Sequence, residues 1–147
     1  MIYEKEIIYG TSEHQEMIAL RNRILREPWG LSFSDEDLKK ERNDFLLCCC
    51  NVKDDKIVGC CVLTPLNDNT LQLRQMAVES FRQGKGIGSK ILFFAEEIAK
   101  KNQYKYIYLH ARKEAVAFYK KNGYDVEGEE FIEVGMPHYE MLKKILL

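Results

Sequence analysis

The pattern of apolar and polar positions changes repeatedly between strand-like and helix-like spacing along the chain. Short apolar stretches rich in β-branched and aromatic residues, bounded by turn-forming residues, predict strands. These stretches cover residues 5–10, 45–52, 56–66, 71–78, 104–111, 125–131 and 137–146. Helical spacing or helix-terminal signals predict helices over 12–25, 34–43, 87–101 and 114–123. The predicted order of elements is therefore β-α-α-β-β-β-α-β-α-β-β.

Two of the helices have the most specific signals. Ser12 and Gln15 have the spacing of a capping box that opens the first helix. In the helix over 87–101, Glu96 and Lys100 are four positions apart and are predicted to pair on the outer face. Apolar residues at helical spacing predict one buried face in each of these two helices. They are Met17, Leu20 and Ile24 in the helix over 12–25, and Ile87, Ile91, Phe94, Ala95 and Ile98 in the helix over 87–101.

Length and composition bound the class of protein. Strands mixed with helical crossovers over 147 residues predict one α/β domain, residues 1–147, with a mixed sheet. The chain is 46% hydrophobic and 31% charged with a formal net charge of −1, which is typical of a soluble globular protein and gives no overall attraction to nucleic acid. The first residues lack the apolar core of a signal peptide, and no run of 18 apolar residues occurs. We therefore expect a cytoplasmic protein with no nucleic-acid or membrane partner.

The five cysteines form two adjacent runs, at positions 48–50 and 60–61. An odd number in such runs fits neither a disulfide framework nor the CxxC spacing of a zinc site. Neighbouring side chains on a strand point to opposite faces, so three consecutive cysteines cannot converge on one metal. We predict that the cysteines pack in a core and that the protein has no metal site.

Residues 81–89 read FRQGKGIGS and precede the most regular predicted helix. Glycines at a helix N-terminus let free backbone N–H groups approach an anion, which the helix dipole also favours. A Walker motif is excluded because Gly88 is followed by Ser89 and Lys90, and the GxGxxG fingerprint is excluded because Ser89 takes the place of its last glycine. The loop alone leaves two interpretations open, a pyrophosphate site or a structural strand-to-helix connection.

Three stretches together narrow these interpretations. The loop QGKGIG follows the strand LRQMAV, and a strand ending in LHAR precedes Ala115 and the stretch FYKKNGY. This arrangement resembles the GNAT superfamily of N-acetyltransferases over essentially the whole chain. The resemblance implies a single-domain GNAT-like fold, with a central mixed, mostly antiparallel sheet and about four helices. The later stretch FIEVGMPHYEM resembles the ElaA-like branch of the superfamily.

The resemblance implies acetyl-coenzyme A as co-substrate and transfer of its acetyl group to an amine. The N–H groups of the loop would hold the pyrophosphate, and the end of the fourth strand would pair with the pantetheine amides like an added strand. The acetyl group would lie where the fourth and fifth strands diverge. The implied binding residues are Met76, Ala77, Val78, Gln83, Gly84, Lys85, Gly86, Ile87, Gly88, Ser89, Ala115 and Tyr119.

Acyl transfer to an amine requires a neutral amine, a donor for the developing oxyanion and a proton for the departing thiolate. The resemblance implies that Tyr119 is the general acid and that a backbone N–H near Met76 or Ala77 stabilises the oxyanion. Tyr119 has an alternative interpretation as part of the core stripe of a short helix. Some family members carry a glutamate on the fourth strand, whereas residues 71–78 contain no acid. The candidates for the general base, directly or through water, are therefore Glu79, His110, Glu133 and His138.

The leading functional hypothesis is an enzyme that acetylates a small-molecule amine. A protein or peptide acetyltransferase and a non-enzymatic acyl-coenzyme A sensor are the alternatives, and the oligomeric state, a homodimer included, stays open. In the implied fold, the region after the first helix flanks the acceptor pocket. Arg21, Arg23, Arg26 and Trp29 are therefore candidates to bind a carboxylate or phosphate on the acceptor. Three arginines on one helix are also typical of a solvated face.

Overall fold

The computed structural model describes residues 1–145, and these residues follow the predicted order of elements. The strands are β1 (Ile2–Ile7), β2 (Phe45–Asn51), β3 (Ile57–Pro65), β4 (Thr70–Val78), β5 (Tyr106–Arg112), β6 (Asp125–Glu133) and β7 (Met136–Lys144). The α-helices are α1 (Ser12–Arg21), α2 (Asp35–Lys39), α3 (Ile87–Lys101) and α4 (Val116–Lys121). The predicted last residue of the final strand, Leu146, lies outside the described residues.

The first helix is capped by a different residue from the predicted one. The backbone of Thr11 is extended, and its hydroxyl accepts a hydrogen bond from the N–H of His14 at 3.3 Å. Thr11 is thus the N-cap, and the predicted capping box of Ser12 and Gln15 is wrong by one position, because adjacent threonine and serine are both good caps. Beyond α1 the chain continues as a π-helical turn (Asn22–Arg26) and a 3₁₀ turn (Glu27–Trp29) rather than as α-helix.

The seven strands form one sheet in the order β1-β2-β3-β4-β5-β7-β6. All neighbouring strands are antiparallel except β4 and β5, which are parallel and are joined through α3. The prediction of a mixed, mostly antiparallel sheet is therefore confirmed. β6 lies at one edge and carries mainly acidic residues, which discourages pairing with another strand.

Two apolar clusters cover the two faces of the sheet. The first contains the buried face of α3 with Leu47, Cys49 and Cys61, and the second contains Met17 and Leu20 of α1 with Cys48, Cys50 and Cys60. All five cysteines are free and buried, so their predicted packing is confirmed. Burial raises the pKa of the Cys49 and Cys60 thiols to about 12. The period of two along a strand accounts for the division of the cysteines between the faces.

Helix α3 packs closely against β3. A Cβ added to Gly59 would lie 2.6 Å from Cδ1 of Ile91 and 2.9 Å from Cγ2 of Ile87. The glycine therefore allows the first turns of α3 to approach the sheet. This approach fixes the N-terminus of α3 next to the end of β4, where the glycine loop connects them.

The described part of the chain shows no helix long and apolar enough to span a membrane. Within the same residues, no group of three or more histidine, cysteine, aspartate or glutamate side chains is arranged to hold a metal ion.

Candidate active site

A cavity opens where β4 and β5 separate. The two strands pair from Thr70 and Tyr106 to Leu73 and Leu109, and beyond these residues they no longer pair with each other. The cavity at this divergence has a volume of about 430 Å³. It is lined by both strands, by the turn after α1, by Ala115 and α4, and by the hairpin between β6 and β7.

A β-bulge in β4 faces this cavity. Cys60 pairs with Ala77 and Val62 with Arg74, so β4 has one more residue than β3 in this interval. The extra residue is accommodated at Gln75, whose φ is 55°. Bulges bend a strand and turn its side chains, and they are frequent beside active sites. This bulge could not be predicted from the sequence, because β4 contains no glycine or asparagine, the usual residues at such a φ.

The end of β4 has a free hydrogen-bonding edge toward the divergence. The N–H of Glu79 donates to the carbonyl of Val58 on β3 at 2.8 Å. Because successive residues of a strand direct their backbone groups to opposite sides, Val78 and Met76 direct theirs away from β3. The side chain of Gln83 donates to the Val78 carbonyl at 2.9 Å, which ties the glycine loop to this edge.

The glycine loop adopts a conformation that needs glycine at two positions. Gly84 and Gly86 have φ values of 78° and 83°, and a Cβ on either would meet no atom within 4 Å. The space beside both residues is therefore open. Gly86 caps α3, whose first N–H groups have no carbonyl within the helix to bind. Gly88 instead serves packing, since a Cβ there would lie 2.9 Å from Cζ of Phe118.

Tyr119 is both a core residue and a cavity residue. It is 7% exposed, and its ring packs edge-to-face against Phe118 and Tyr124 with centroids 5.1 Å and 5.9 Å away. It also lines the cavity, and its hydroxyl has no hydrogen bond to another described residue. Burial, with a smaller effect from Cys61, raises the pKa of the hydroxyl, so Tyr119 stays a proton donor at neutral pH. The two interpretations of Tyr119 from sequence are therefore compatible.

Three of the four predicted base candidates meet at one side of the cavity. Oε1 of Glu133 lies 2.9 Å from Nδ1 of His110, and Oε2 lies 3.5 Å from Nε2 of His138. Nδ1 of His138 donates to the carbonyl of Met136 at 2.9 Å, which directs Nε2 toward the carboxylate. Glu133 is 41% exposed at its side chain, whereas His138 is 8% exposed. Glu133 is thus an accessible carboxylate that lies between two imidazoles and accepts a hydrogen bond from His110.

His110 is engaged at both ring nitrogens. Nε2 lies 2.8 Å from the hydroxyl of Tyr108, and that hydroxyl donates to a carboxylate oxygen of Glu140. Because the carboxylate of Glu133 can only accept, Nδ1 of His110 donates to it at 2.9 Å. Both ring nitrogens of His110 are thus engaged with groups of the fold. His110 therefore orients Glu133 within this arrangement.

The fourth base candidate lies elsewhere. Glu79 does not line the cavity, and its carboxylate accepts from Nη2 of Arg23 at 2.9 Å. Arg21 is also outside the cavity, because it is fully buried and forms two hydrogen bonds with Glu41. The prediction that Arg21 and Arg23 are free to bind an acceptor is thus wrong, since both are neutralised within the fold.

Two arginines that the sequence did not single out line the cavity together with Arg26 and Trp29. These are Arg74 on β4 and Arg112 at the end of β5. The guanidinium of Arg112 lies over the Trp29 ring, 5.3 Å from its centroid. The stretch LHAR placed Arg112 at the end of β5, where the strands diverge. Whether its side chain points into the cavity depends on the register of β5 with β7.

Comparisons with known proteins find relatives of this chain in sequence and in structure. The chain is 34% identical over 77 residues to the uncharacterised protein YyaT of Bacillus subtilis, a match that covers 52% of this chain and 52% of that protein. The chain spans about half the length of the curated relatives it matches.

Solved structures match over nearly the full chain. A candidate N-acetyltransferase from Lactobacillus plantarum has a TM-score of 0.85 at 25% identity, with 97% of this chain and 99% of that one covered. A GNAT acetyltransferase from Elizabethkingia anophelis with acetyl-coenzyme A bound has a TM-score of 0.74 at 20% identity and 97% coverage of both chains. Escherichia coli ElaA has a TM-score of 0.76 at 16% identity, with 97% and 99% covered, which shows a shared fold.

The family model of the acetyltransferase (GNAT) family matches residues 14–124. This range contains the β4 bulge, the glycine loop, α3, β5 and Tyr119, which together form most of the cavity and its approach. The confirmed sheet topology and the strand divergence are those that the resemblance implied. The chain therefore belongs to the GNAT family of acetyltransferases.

Proposed function

We propose that this chain binds acetyl-coenzyme A and transfers its acetyl group to the amine of a small molecule. The observation that carries the proposal is the continuity of one site: the glycine loop is bound to the edge of β4, and that edge leads into a cavity lined by Tyr119 and Glu133. A structural neighbour from the same family has acetyl-coenzyme A bound. The residues proposed for binding are the predicted ones, residues 83–89 with Met76, Ala77, Val78, Ala115 and Tyr119.

The loop suits a pyrophosphate by its charge and by its open space. The N–H groups at the start of α3 are unpaired within the helix, and the helix dipole places partial positive charge there. No Cβ occupies the space beside Gly84 or Gly86. The backbone edge of Val78 and Met76 suits the pantetheine amides, once the hydrogen bond from the Gln83 side chain to the Val78 carbonyl is broken. When bound, acetyl-coenzyme A supplies the activated acetyl group.

We assign the acid and the base to different sides of the cavity. Glu133 accepts the proton of the attacking amine, directly or through water, because it is the accessible carboxylate of the cavity and its Oε1 is oriented by Nδ1 of His110. Tyr119 donates its hydroxyl proton to the departing sulfur, because a phenol is protonated at neutral pH and this residue lines the cavity. The backbone N–H of Met76 faces the divergence and suits the oxygen that gains negative charge.

The cavity favours a small acceptor. A volume of about 430 Å³ lies within the range of small-molecule sites, and part of it must accommodate the acetyl end of the co-substrate. A peptide would instead require an extended groove. Cytoplasmic location and membership of the ElaA-like branch remain predictions, and the oligomeric state stays open.

The test is a screen of amines with release of the coenzyme A thiol as the readout, together with thermal unfolding in the presence of acetyl-coenzyme A. We expect the co-substrate to raise the melting temperature and at least one small amine to be acetylated. Binding without turnover on any amine or peptide would indicate a sensor. Turnover confined to peptides would indicate a protein acetyltransferase, and either outcome would contradict the proposal.

A further inference from the structure

The charges that line the cavity are unbalanced. Three arginines, Arg26, Arg74 and Arg112, contribute to the lining, whereas Glu133 is the single acidic residue among the described residues that do so. Both oxygens of Glu133 face histidines rather than these arginines. The cavity therefore has an excess of positive charge.

The arginines of the cavity differ from other arginines of the fold in having no acidic partner. Within residues 1–145, no carboxylate lies within 4.0 Å of Arg26, Arg74 or Arg112, whereas Arg21 pairs with Glu41 and Arg23 with Glu79. Asp37 is close enough to Arg26 for the cation to lower its pKa, after the larger effect of hydrogen bonds with Ser34, but it is outside salt-bridge distance.

Arg26 and Arg112 are also held in place by aromatic rings. The guanidinium of Arg26 lies 4.6 Å from the centroid of Phe33, and that of Arg112 lies 5.3 Å from the centroid of Trp29. An aromatic face orients a guanidinium but leaves the N–H groups at its edge unpaired. Nε of Arg26 is buried and has no hydrogen-bond partner among the described residues. Both arginines are half-buried, whereas Arg74 is exposed.

The phosphates of coenzyme A do not account for these cations. The glycine loop, which suits the pyrophosphate, contributes no residue to the cavity lining. Arg26 follows α1 and Arg112 ends β5, and both line the same cavity as Glu133. Arg112 is opposite His138 in the pairing of β5 with β7, and His138 contacts Glu133. The unpaired donors therefore lie in the cavity that would receive the acceptor amine.

We propose that the acceptor of this enzyme is a compact amine that also carries an oxyanion, either a carboxylate or a phosphate, and that Arg26 and Arg112 bind this group. This inference rests on the proposed function and names its substrate class. The fork of a guanidinium matches both oxyanions in a bidentate manner. With the oxyanion on the arginines, the amine of a compact molecule is directed toward Glu133, so the two ends of the substrate meet opposite charges.

The test compares amines that differ only in the oxyanion. Tyrosine is compared with tyramine for a carboxylate, and phosphoethanolamine with ethanolamine for a phosphate, with thiol release as the readout. We expect the anionic member of at least one pair to have a kcat/KM higher by about 10-fold or more, the usual value of a charge-assisted hydrogen bond. The pair that shows the preference identifies the oxyanion.

The variants Arg26→Gln and Arg112→Gln test the assignment of that preference. Each should raise the KM of the anionic amine, so that the ratio of kcat/KM within the pair falls toward one. Arg42→Gln is the matched control, because Arg42 is exposed and outside the cavity lining, and it should leave the ratio unchanged.

Two outcomes would overturn this inference without contradicting the proposed function. In one, the neutral amines are used as well as the anionic amines or better. In the other, the ratio of kcat/KM within the pair is unchanged in both cavity variants although their folding is intact. If acetyl-coenzyme A fails to bind or no amine of any kind is acetylated, the proposed function fails and the inference fails with it.

Discussion

Oε1 of Glu133 lies 2.9 Å from Nδ1 of His110, and this contact joins β6 to β5 across the intervening strand β7. The two residues are far apart in sequence, and each is half exposed or less. Their contact places an oriented carboxylate in the cavity that Arg26 and Arg112 also line.

Glu133→Gln should lower kcat by roughly 10²–10⁴-fold, because the amide has a similar shape but cannot accept the amine proton. The melting temperature should change little, since Glu133 is substantially exposed. Steady-state kinetics and thermal unfolding measure both effects. Glu129→Gln, on the exposed part of the same strand, is the control and should retain full activity. An active Glu133→Gln enzyme would remove Glu133 from the mechanism.

Tyr119→Phe removes the hydroxyl and keeps the ring in its packing against Phe118 and Tyr124. We expect acetyl-coenzyme A to bind normally while kcat falls by roughly 10²–10⁴-fold, because a general acid acts in the transition state. Calorimetry and kinetics separate the two quantities. Tyr104→Phe provides the comparison, since Tyr104 packs on Phe45 away from the cavity. Near-normal turnover of a folded Tyr119→Phe protein would restrict Tyr119 to a role in the core.

Gly86→Val should abolish binding of acetyl-coenzyme A, because the side chain would fill the open space beside the loop and the φ of 83° disfavours any β-branched residue. In the wild type, ligand at 100 times its Kd should stabilise the fold by about 2.7 kcal/mol, and this gain should be lost in the variant. Gly10→Val controls for backbone strain, since Gly10 has a similar φ of 81° in a turn remote from the loop. Normal affinity in Gly86→Val would make the loop structural.

Val134→Asn should stabilise the protein. Val134 has a φ of 51° and forms a two-residue turn with Gly135 between β6 and β7. A β-branched residue is strained at this φ, whereas asparagine tolerates a positive φ. Relief of the strain is expected to contribute about 1 kcal/mol, measured by chemical denaturation. Val52→Asn is the control, because Val52 is similarly exposed but has no positive φ. No gain in Val134→Asn over this control would contradict the strain.

The native cysteines should resist alkylation from pH 7 to pH 9, because they are buried and their pKa values, about 12 for Cys49 and Cys60, keep them as thiols. In the unfolded chain, the thiols ionise near their ordinary pKa and should all react. Since the unfolded state then loses protons that the native state keeps, stability should fall as the pH rises above about 9. Mass spectrometry of alkylated protein and denaturation at several pH values test the two statements. Rapid labelling of native protein would contradict the buried packing.

The local signals of the sequence determined the elements and the glycine loop. The period of two divided the cysteines between the faces of the sheet, and the helical stripe of α3 is buried as predicted. Glycine permits the positive φ that Gly84 and Gly86 adopt, so the position of the loop at the N-terminus of α3 could be predicted without tertiary contacts. The resemblance of these stretches to the GNAT superfamily then implied a mixed, mostly antiparallel sheet and the divergence of the fourth and fifth strands.

The tertiary structure decided which charged residues belong to the site. Glu79, Arg21 and Arg23 were reasonable candidates by sequence, but their ion pairs with partners distant in the chain occupy them. Glu96, predicted to pair with Lys100 along α3, pairs instead with Lys143 of β7 at 2.9 Å.

The tertiary structure also decided which charged residues line the cavity. Arg112 and Glu133 reach it because β7 pairs with β5 and with the last residues of β6 in defined registers, and a shift of one residue would turn their side chains to the other face. Local sequence determines where a strand forms and how its side chains alternate. The partner of a charge depends on long-range register, and sequence periodicity contains no information about that register.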